Sequence, residues 1–176
     1  ETAQFLSEEG GDYLALSDCN VGGRLDLSCM KKISESNVKL LCLSHVNNEL
    51  GSLNDPLQIG KVAKADAPRA KLFFDGVQAL GKVSINQEAW NYISGYSISA
   101  HKINGPKGVG ALIYDSRLLL TPMIHGGKQQ SGIRSGTIPV PLILGFTEAI
   151  KIALRNLGTN AELYKKLSQR LIVGLK

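Results

Sequence analysis

The chain has 176 residues, of which 43% are hydrophobic and 20% are charged. This balance is typical of a folded globular domain and excludes a disordered chain, which combines low hydrophobicity with high net charge. The formal net charge of +5 includes no block of five like charges, so it indicates a solvated surface and argues against a nucleic-acid-binding patch.

The predicted elements alternate between short apolar strands and helices. A short helical stretch at Phe5 and Leu6 precedes the first strand. Strands are predicted at 13–16, 38–43, 72–74, 92–98 and 110–114. Helices are predicted at 25–33, from Asp55 and Pro56 to Pro68, at 141–157 with a stop at Gly158, and from a cap at Thr159 or Asn160 to the end. This order predicts an α/β fold with three layers, in which a mostly parallel sheet carries helices on both faces.

The three cysteines, Cys19, Cys29 and Cys42, form an odd set without a CxxC pair, so neither a disulfide framework nor a zinc site is expected. Cys29 and Cys42 lie within apolar patterns and are expected to pack in the core. No apolar run approaches the roughly 18 residues that a membrane span needs. The protein is therefore expected in the cytoplasm, away from membranes. Its first residues resemble the interior of a longer chain more than a signal peptide.

Ligands of such α/β folds bind beyond the carboxyl ends of the strands. Polar segments follow three of the predicted strands, at 44–49, 75–78 and 99–102. Lys102 could be a buried amine that forms a Schiff base with a carbonyl compound, or an ordinary lysine of a surface loop. Asp75 could pair with the pyridinium nitrogen of pyridoxal phosphate, or cap a helix.

Four segments in order carry a resemblance to a known family. They are Ser-His-Val-Asn-Asn-Glu-Leu-Gly at 44–51, Phe-Asp-Gly-Val-Gln-Ala-Leu-Gly-Lys at 74–82, Ser-Ala-His-Lys-Ile-Asn-Gly-Pro-Lys-Gly at 99–108, and His-Gly-Gly…Arg-Ser-Gly-Thr at 125–137. Together they resemble the cysteine desulfurases of the NifS/IscS type, which are pyridoxal-phosphate enzymes with the aspartate aminotransferase fold. The resemblance covers essentially the whole chain.

The resemblance implies a role for one polar residue of the first segment, for two of the second and for the lysine of the third. Lys102 corresponds to the catalytic Schiff-base lysine, and Asp75 to the carboxylate on the pyridine nitrogen. Gln78 corresponds to the amide that hydrogen-bonds the phenolic oxygen of the cofactor. Asn48 corresponds to a residue near the substrate carboxylate and the ring oxygen.

The same resemblance implies a phosphate site shared between two subunits. Ser99 and His101 correspond to phosphate donors within the chain. Thr137 corresponds to a donor that reaches the phosphate of the other subunit in a homodimer, with Arg134 adding positive charge nearby. The stretch 126–137 is long and glycine-rich, which is typical either of a functional loop or of a mobile surface loop.

The implied activity removes sulfur from L-cysteine, leaving alanine and an enzyme persulfide that passes to a sulfur-acceptor protein for iron–sulfur assembly or tRNA thiolation. The family's N-terminal phosphate segment and its ring-stacking histidine do not occur in this sequence. The sulfur-accepting cysteine is expected beyond Lys176. Residues 1–158 therefore correspond to an incomplete cofactor-binding domain and 159–176 to the start of the helix that leads to a small domain. The isolated chain is expected to be inactive.

Other functions remain open from the sequence. A class V aminotransferase or a selenocysteine lyase would share the fold, and a cysteine in the loop beyond Lys176 would distinguish a desulfurase from an aminotransferase. A non-catalytic interaction fragment is a third possibility. Retention of Lys102, Asp75 and Gln78 together argues against it.

Overall fold

The computed structural model describes residues 19–30 and 38–175, apart from the side chain of Cys29. In chain order the elements are β1 (Leu40–Ser44), α1 (Pro56–Asp66), β2 (Lys71–Asp75), β3 (Ile93–Ser99), β4 (Gly110–Tyr114), α2 (Val140–Arg155) and α3 (Leu157–Gly174). Short 3-10 helices cover Leu27–Cys29, Gln87–Asn91, Ala100–Ile103 and Gln130–Gly132. The predicted helical stretch at Phe5 and the strand at 13–16 lie outside the described residues.

One four-stranded sheet in the order β1-β2-β3-β4 organises the described part of the chain. The first three strands are parallel, whereas β4 runs antiparallel to β3. The predicted fold class, α/β with a mostly parallel sheet, is confirmed. The four strands appear within two residues of their predicted positions, because each is a short apolar run bounded by polar or turn-forming residues.

The core lies on the sheet face that carries Leu72, Phe74 and Tyr96, and it includes Ile59 and Ala63 of α1. Tyr96 is almost fully buried, and its hydroxyl is hydrogen-bonded to Nδ1 of the buried His45 at 2.7 Å. This bond satisfies two polar groups that would otherwise be costly to bury. Burial raises the pKa of Tyr96. Burial also lowers the pKa of His45, and the nearby Asp55 carboxylate offsets part of that decrease.

The opposite face of the sheet is more open in the described chain. Cys42 lies on this face and is exposed, so its predicted place in the core is wrong. Strand alternation explains the difference, since the neighbouring Leu41 takes the buried position. The expected core position of Cys29 lies outside what the structure describes.

Two predicted helix boundaries need correction. The segment expected to be helical from Leu25 instead begins with an isolated bridge between Cys19 and Leu25, and 3-10 geometry starts only at Leu27. Near the other end, Gly158 does not stop a helix. The break is at Asn156, which ends α2, and its carbonyl then accepts the N–H of Asn160 in the first turn of α3.

Helix α1 begins as predicted. Oδ1 of Asp55 accepts the backbone N–H of Leu57 at 2.9 Å, and Pro56 occupies the first turn, where no N–H is needed.

Within residues 19–30 and 38–175, no helix combines the length and apolar character that crossing a membrane requires.

Replacing Asp55 with alanine should lower the free energy of unfolding by about 1 kcal/mol, because the N–H of Leu57 loses its acceptor. Asp55→Asn keeps an acceptor and should retain most of the stability. Urea unfolding of the two variants beside the wild type measures the difference. Equal losses in both variants would contradict the capping role.

Acidification should destabilise the fold through His45. Because burial depresses its folded-state pKa, only the unfolded chain takes up the proton below about pH 6.5, the ordinary histidine value. Stability should therefore be complete above that pH and fall below it, by at most about 1.4 kcal/mol per pH unit. The free energy of unfolding measured between pH 7 and 5.5 should show this slope in the wild type and in the exposed control His125→Gln. His45→Gln should flatten the slope, and an unchanged slope would exclude His45 as its source.

Candidate functional site

Parallel pairing brings the carboxyl ends of three strands to one edge of the sheet. Ser44 pairs with Asp75, and Asp75 pairs with Ser97. Beyond these pairs, the N–H of His45 donates to the carbonyl of Asp75 and the N–H of Gly76 donates to the carbonyl of Ser97, both at 2.9 Å. The segments that follow β1, β2 and β3 thus start side by side.

The Asp75 carboxylate is exposed at this edge and held in a fixed orientation. Its Oδ1 accepts the backbone N–H of Val77 at 2.9 Å and the hydroxyl of Ser97 at 3.2 Å. The prediction that Asp75 caps a helix is confirmed only in part, because Asp75 caps residues 77–82, which form turns and not a helix. Gly76 is required beside it, since any side chain there would overlap the Tyr96 ring. The site is thereby tied to the core.

A 3-10 turn at Ala100–Ile103 presents the next two side chains. Ala100 and Ile103 are buried, and because side chains three apart share one face of such a turn, His101 and Lys102 are left exposed. Asn104 ends the turn in the left-handed region, with φ of 63°. Ser99 Oγ and His101 Nδ1 form a hydrogen bond of 2.9 Å, so a hydroxyl and an imidazole lie together at the end of β3.

Lys102 lines a groove whose other walls include Lys82, Asn104 and residues of α2 and α3. Its side chain is exposed among the described residues. The burial considered for this amine from the sequence is therefore not seen in the described chain. Its neighbour Lys82 is half-buried, and both this burial and the Lys102 charge lower the pKa of Lys82.

Gln78 is half-buried one turn beyond Asp75. Its Oε1 accepts a hydrogen bond from Nζ of Lys82 at 2.7 Å. Sequence reasoning missed Lys82, because this lysine is the last residue of the segment 74–82 and the sequence shows no evident hydrogen-bond partner for it. The signal was the i, i+4 spacing from Gln78, which brings two side chains together on a turn of helical pitch.

Asn48 lies in the turn that follows β1 and is exposed. The turn is built by its neighbour, because Oδ1 of Asn47 accepts the N–H groups of Glu49 and Leu50 at 2.9 and 2.8 Å. Asn47 is therefore used structurally, whereas the Asn48 side chain has no hydrogen bond within the part of the chain that the structure describes.

Among the described residues, no hydrogen bond joins Thr137 to this edge. Its loop closes on itself: Ile124 bridges to Arg134, the Ser135 hydroxyl donates to the carbonyl of Gly127 at 2.6 Å, and the N–H of Gly136 donates to Gln129. The Thr137 side chain is exposed.

The polar groups at the strand edge are an amine, a carboxylate, an amide, a hydroxyl and an imidazole. Such a set suits an anionic organic cofactor that carries a carbonyl group and a basic ring nitrogen. It does not resemble a metal centre: among residues 19–30 and 38–175, no three His, Cys, Asp or Glu side chains are grouped to hold a metal ion.

Comparisons with known proteins show which proteins the chain is similar to. The chain is 38% identical over 178 residues to the protein named cysteine desulfurase IscS of Haemophilus influenzae (strain PittEE), covering 100% of this chain and 43% of that protein. A solved structure described as a NifS-like protein matches with a TM-score of 0.91 and 32% identity, over 99% of this chain and 47% of the other. A structure described as SspA in complex with cysteine matches with a TM-score of 0.76 and 37% identity, over 85% and 43%.

The chain thus spans less than half the length of these relatives. The family model for aminotransferase class V matches residues 1–176, the full length of the chain. On this match, the chain belongs to the aminotransferase class-V family.

Proposed function

We propose that the chain is the central part of a cysteine desulfurase that binds pyridoxal phosphate at the carboxyl edge of its sheet. The observation that carries the proposal is the arrangement of Asp75, the Ser99–His101 pair and Lys102 on adjacent strand ends. The names of the similar proteins, and the cysteine in the structure described as SspA in complex with cysteine, support L-cysteine as the substrate.

The residues fit the proposed cofactor by their chemistry. The protonated ring nitrogen of pyridoxal phosphate requires a carboxylate, and Asp75 is oriented by Val77 and Ser97 to supply one. The phosphate requires hydrogen-bond donors, which Ser99 and His101 provide. The aldehyde requires a primary amine, and the exposed Lys102 follows directly on this pair.

When bound, the cofactor withdraws electrons from the α-carbon of the substrate amino acid. Asp75 keeps the ring nitrogen protonated, which makes that withdrawal effective. The Lys102 amine would be the group that holds the aldehyde of the cofactor, and its Nζ, when free, would move protons at the substrate. Gln78 would donate to the phenolic oxygen, and Asn48 would be the residue near the substrate carboxylate and the ring oxygen.

The remaining groups of the proposed enzyme belong to other parts of the parent protein. A cysteine beyond Lys176 takes the substrate sulfur, which leaves alanine and a persulfide for a sulfur-acceptor protein. In this proposal residues 1–158 form the cofactor-binding domain and 159–176 lead to the small domain. The parent acts in the cytoplasm, where its product serves iron–sulfur assembly or tRNA thiolation.

The proposed enzyme is a homodimer with two composite sites. Thr137 is exposed on a loop held together by its own hydrogen bonds, and none of these joins it to Ser99 or His101 within the described chain. An exposed hydroxyl on a loop held by its own hydrogen bonds suits donation to the phosphate of a second subunit, and a symmetric dimer would repeat that contact.

Replacing Lys102 with alanine in the full-length protein should abolish the visible absorption band of the bound cofactor and the production of alanine from cysteine, because no amine remains to hold the aldehyde. Lys107→Ala, which removes another exposed lysine five residues on, is the control and should keep both. Absorption spectra before and after borohydride reduction measure the lysine adduct. A borohydride-reducible adduct in the Lys102→Ala protein would contradict the assignment.

The shared phosphate site predicts recovery of activity in mixed dimers. Thr137→Val should weaken cofactor binding roughly tenfold or more, the effect of losing one hydrogen bond to a charged group. A dimer of one Thr137→Val chain and one Lys102→Ala chain has one site with both defects and one with neither, so activity at limiting cofactor should partly return. Differently tagged chains establish that mixed dimers formed. Mixed dimers without recovery would exclude donation between subunits.

A further inference from the structure

Lys82 makes a contact that the proposed reaction does not use. Its Nζ lies 2.7 Å from Oε1 of Gln78. A lysine ammonium can only donate hydrogen bonds, so the atom it contacts must be the amide oxygen. The two N–H bonds of the Gln78 amide are thereby directed away from Lys82.

The turn that carries both residues is held firmly. The carbonyl of Ala79, a fully buried residue, accepts the N–H groups of Lys82 and Val83 at 3.0 Å. Gly81 has a φ of +71°, and a Cβ atom there would lie 2.7 Å from the Cβ of Ala153 in α2. The turn therefore packs directly against that helix, which limits the positions open to the Lys82 side chain.

The surroundings give the ammonium reason to keep this partner. Lys82 is half-buried beside Lys102, so both desolvation and a like charge oppose its protonated form and lower the pKa of Lys82. The Gln78 oxygen compensates by accepting one of its protons. Among the described residues, the Lys82 side chain forms no other hydrogen bond.

We propose that Lys82 is a positioning residue, which fixes the orientation of the Gln78 amide so that its N–H groups face the phenolic oxygen of the cofactor. The inference rests on the proposed function. An amide can rotate by half a turn at little cost, and the reversed orientation would set its carbonyl oxygen against the phenolic oxygen. By holding Oε1, Lys82 excludes the reversed form before the cofactor binds.

The test uses the full-length protein loaded with pyridoxal phosphate and two readouts other than activity. These are the apparent pKa of the visible cofactor band and the dissociation constant of the cofactor. Lys82→Met removes the donor but keeps a long apolar stem, whereas Lys82→Arg keeps a donor. The same lysine change is also made in a Gln78→Ala background.

Lys82→Met should weaken cofactor binding about fivefold, the effect of one ordinary hydrogen bond. It should also raise the apparent pKa of the band by about half a unit or more, because a phenolate without its donor binds protons more readily. Lys82→Arg should restore values near the wild type. In the Gln78→Ala background, Lys82→Met should change little, since the amide through which it acts is gone.

Two results would overturn the inference. One is a Lys82→Met band that titrates as in the wild type. The other is an equally large shift in the Gln78→Ala background, which would mean that the lysine charge acts on the cofactor independently of Gln78. Failure of the proposed function looks different, because then the wild-type protein itself forms no titrating band, and both proposals fall together.

Discussion

The parallel pairing of β1, β2 and β3 is the constraint on which the rest of the molecule depends. Three strand ends meet at one edge only because the strands run in the same direction and in fixed register, with Asp75 between Ser44 and Ser97. Antiparallel pairing would send alternate strand ends to opposite edges. The polar residues after each strand would then be two separate groups instead of one chemical set.

The same residues serve the fold and the candidate site, which couples the two. Oδ1 of Asp75 accepts the N–H of Val77 in the following turn and also the hydroxyl of Ser97 on the neighbouring strand. Gly76 lies against Tyr96, whose hydroxyl is bonded to His45, the residue that directly follows β1. Rigid support of this kind is what a binding site needs, because donors that are already oriented lose little freedom when a ligand arrives.

Sequence reasoning could predict the strands, the start of α1 and the segments at the strand ends, because these depend on local patterns of apolar, capping and turn residues. It could not place Cys42, since a five-residue apolar run does not reveal which of its alternating faces is covered. It missed the helix break at Asn156 because a glycine two residues later is the stronger local signal. The i, i+4 spacing of Gln78 and Lys82 could have indicated their contact, but the packing of their turn against α2 depends on the assembled fold.

The pairing of β2 with β3 contains one irregularity between Leu72 and Phe73, which leaves Ser94 as an extra residue between Ile93 and Gly95. The Ser94 hydroxyl accepts the N–H of Leu72 and repairs the interrupted ladder. The extra residue lets Ile93 and Tyr96, three apart, face the core together while Ser97 still faces Asp75's side of the sheet. The number of residues in β3 therefore determines which of its side chains face the core and which face the site. Many substitutions in β3 should be tolerated more readily than the insertion or deletion of one residue, which would shift this register.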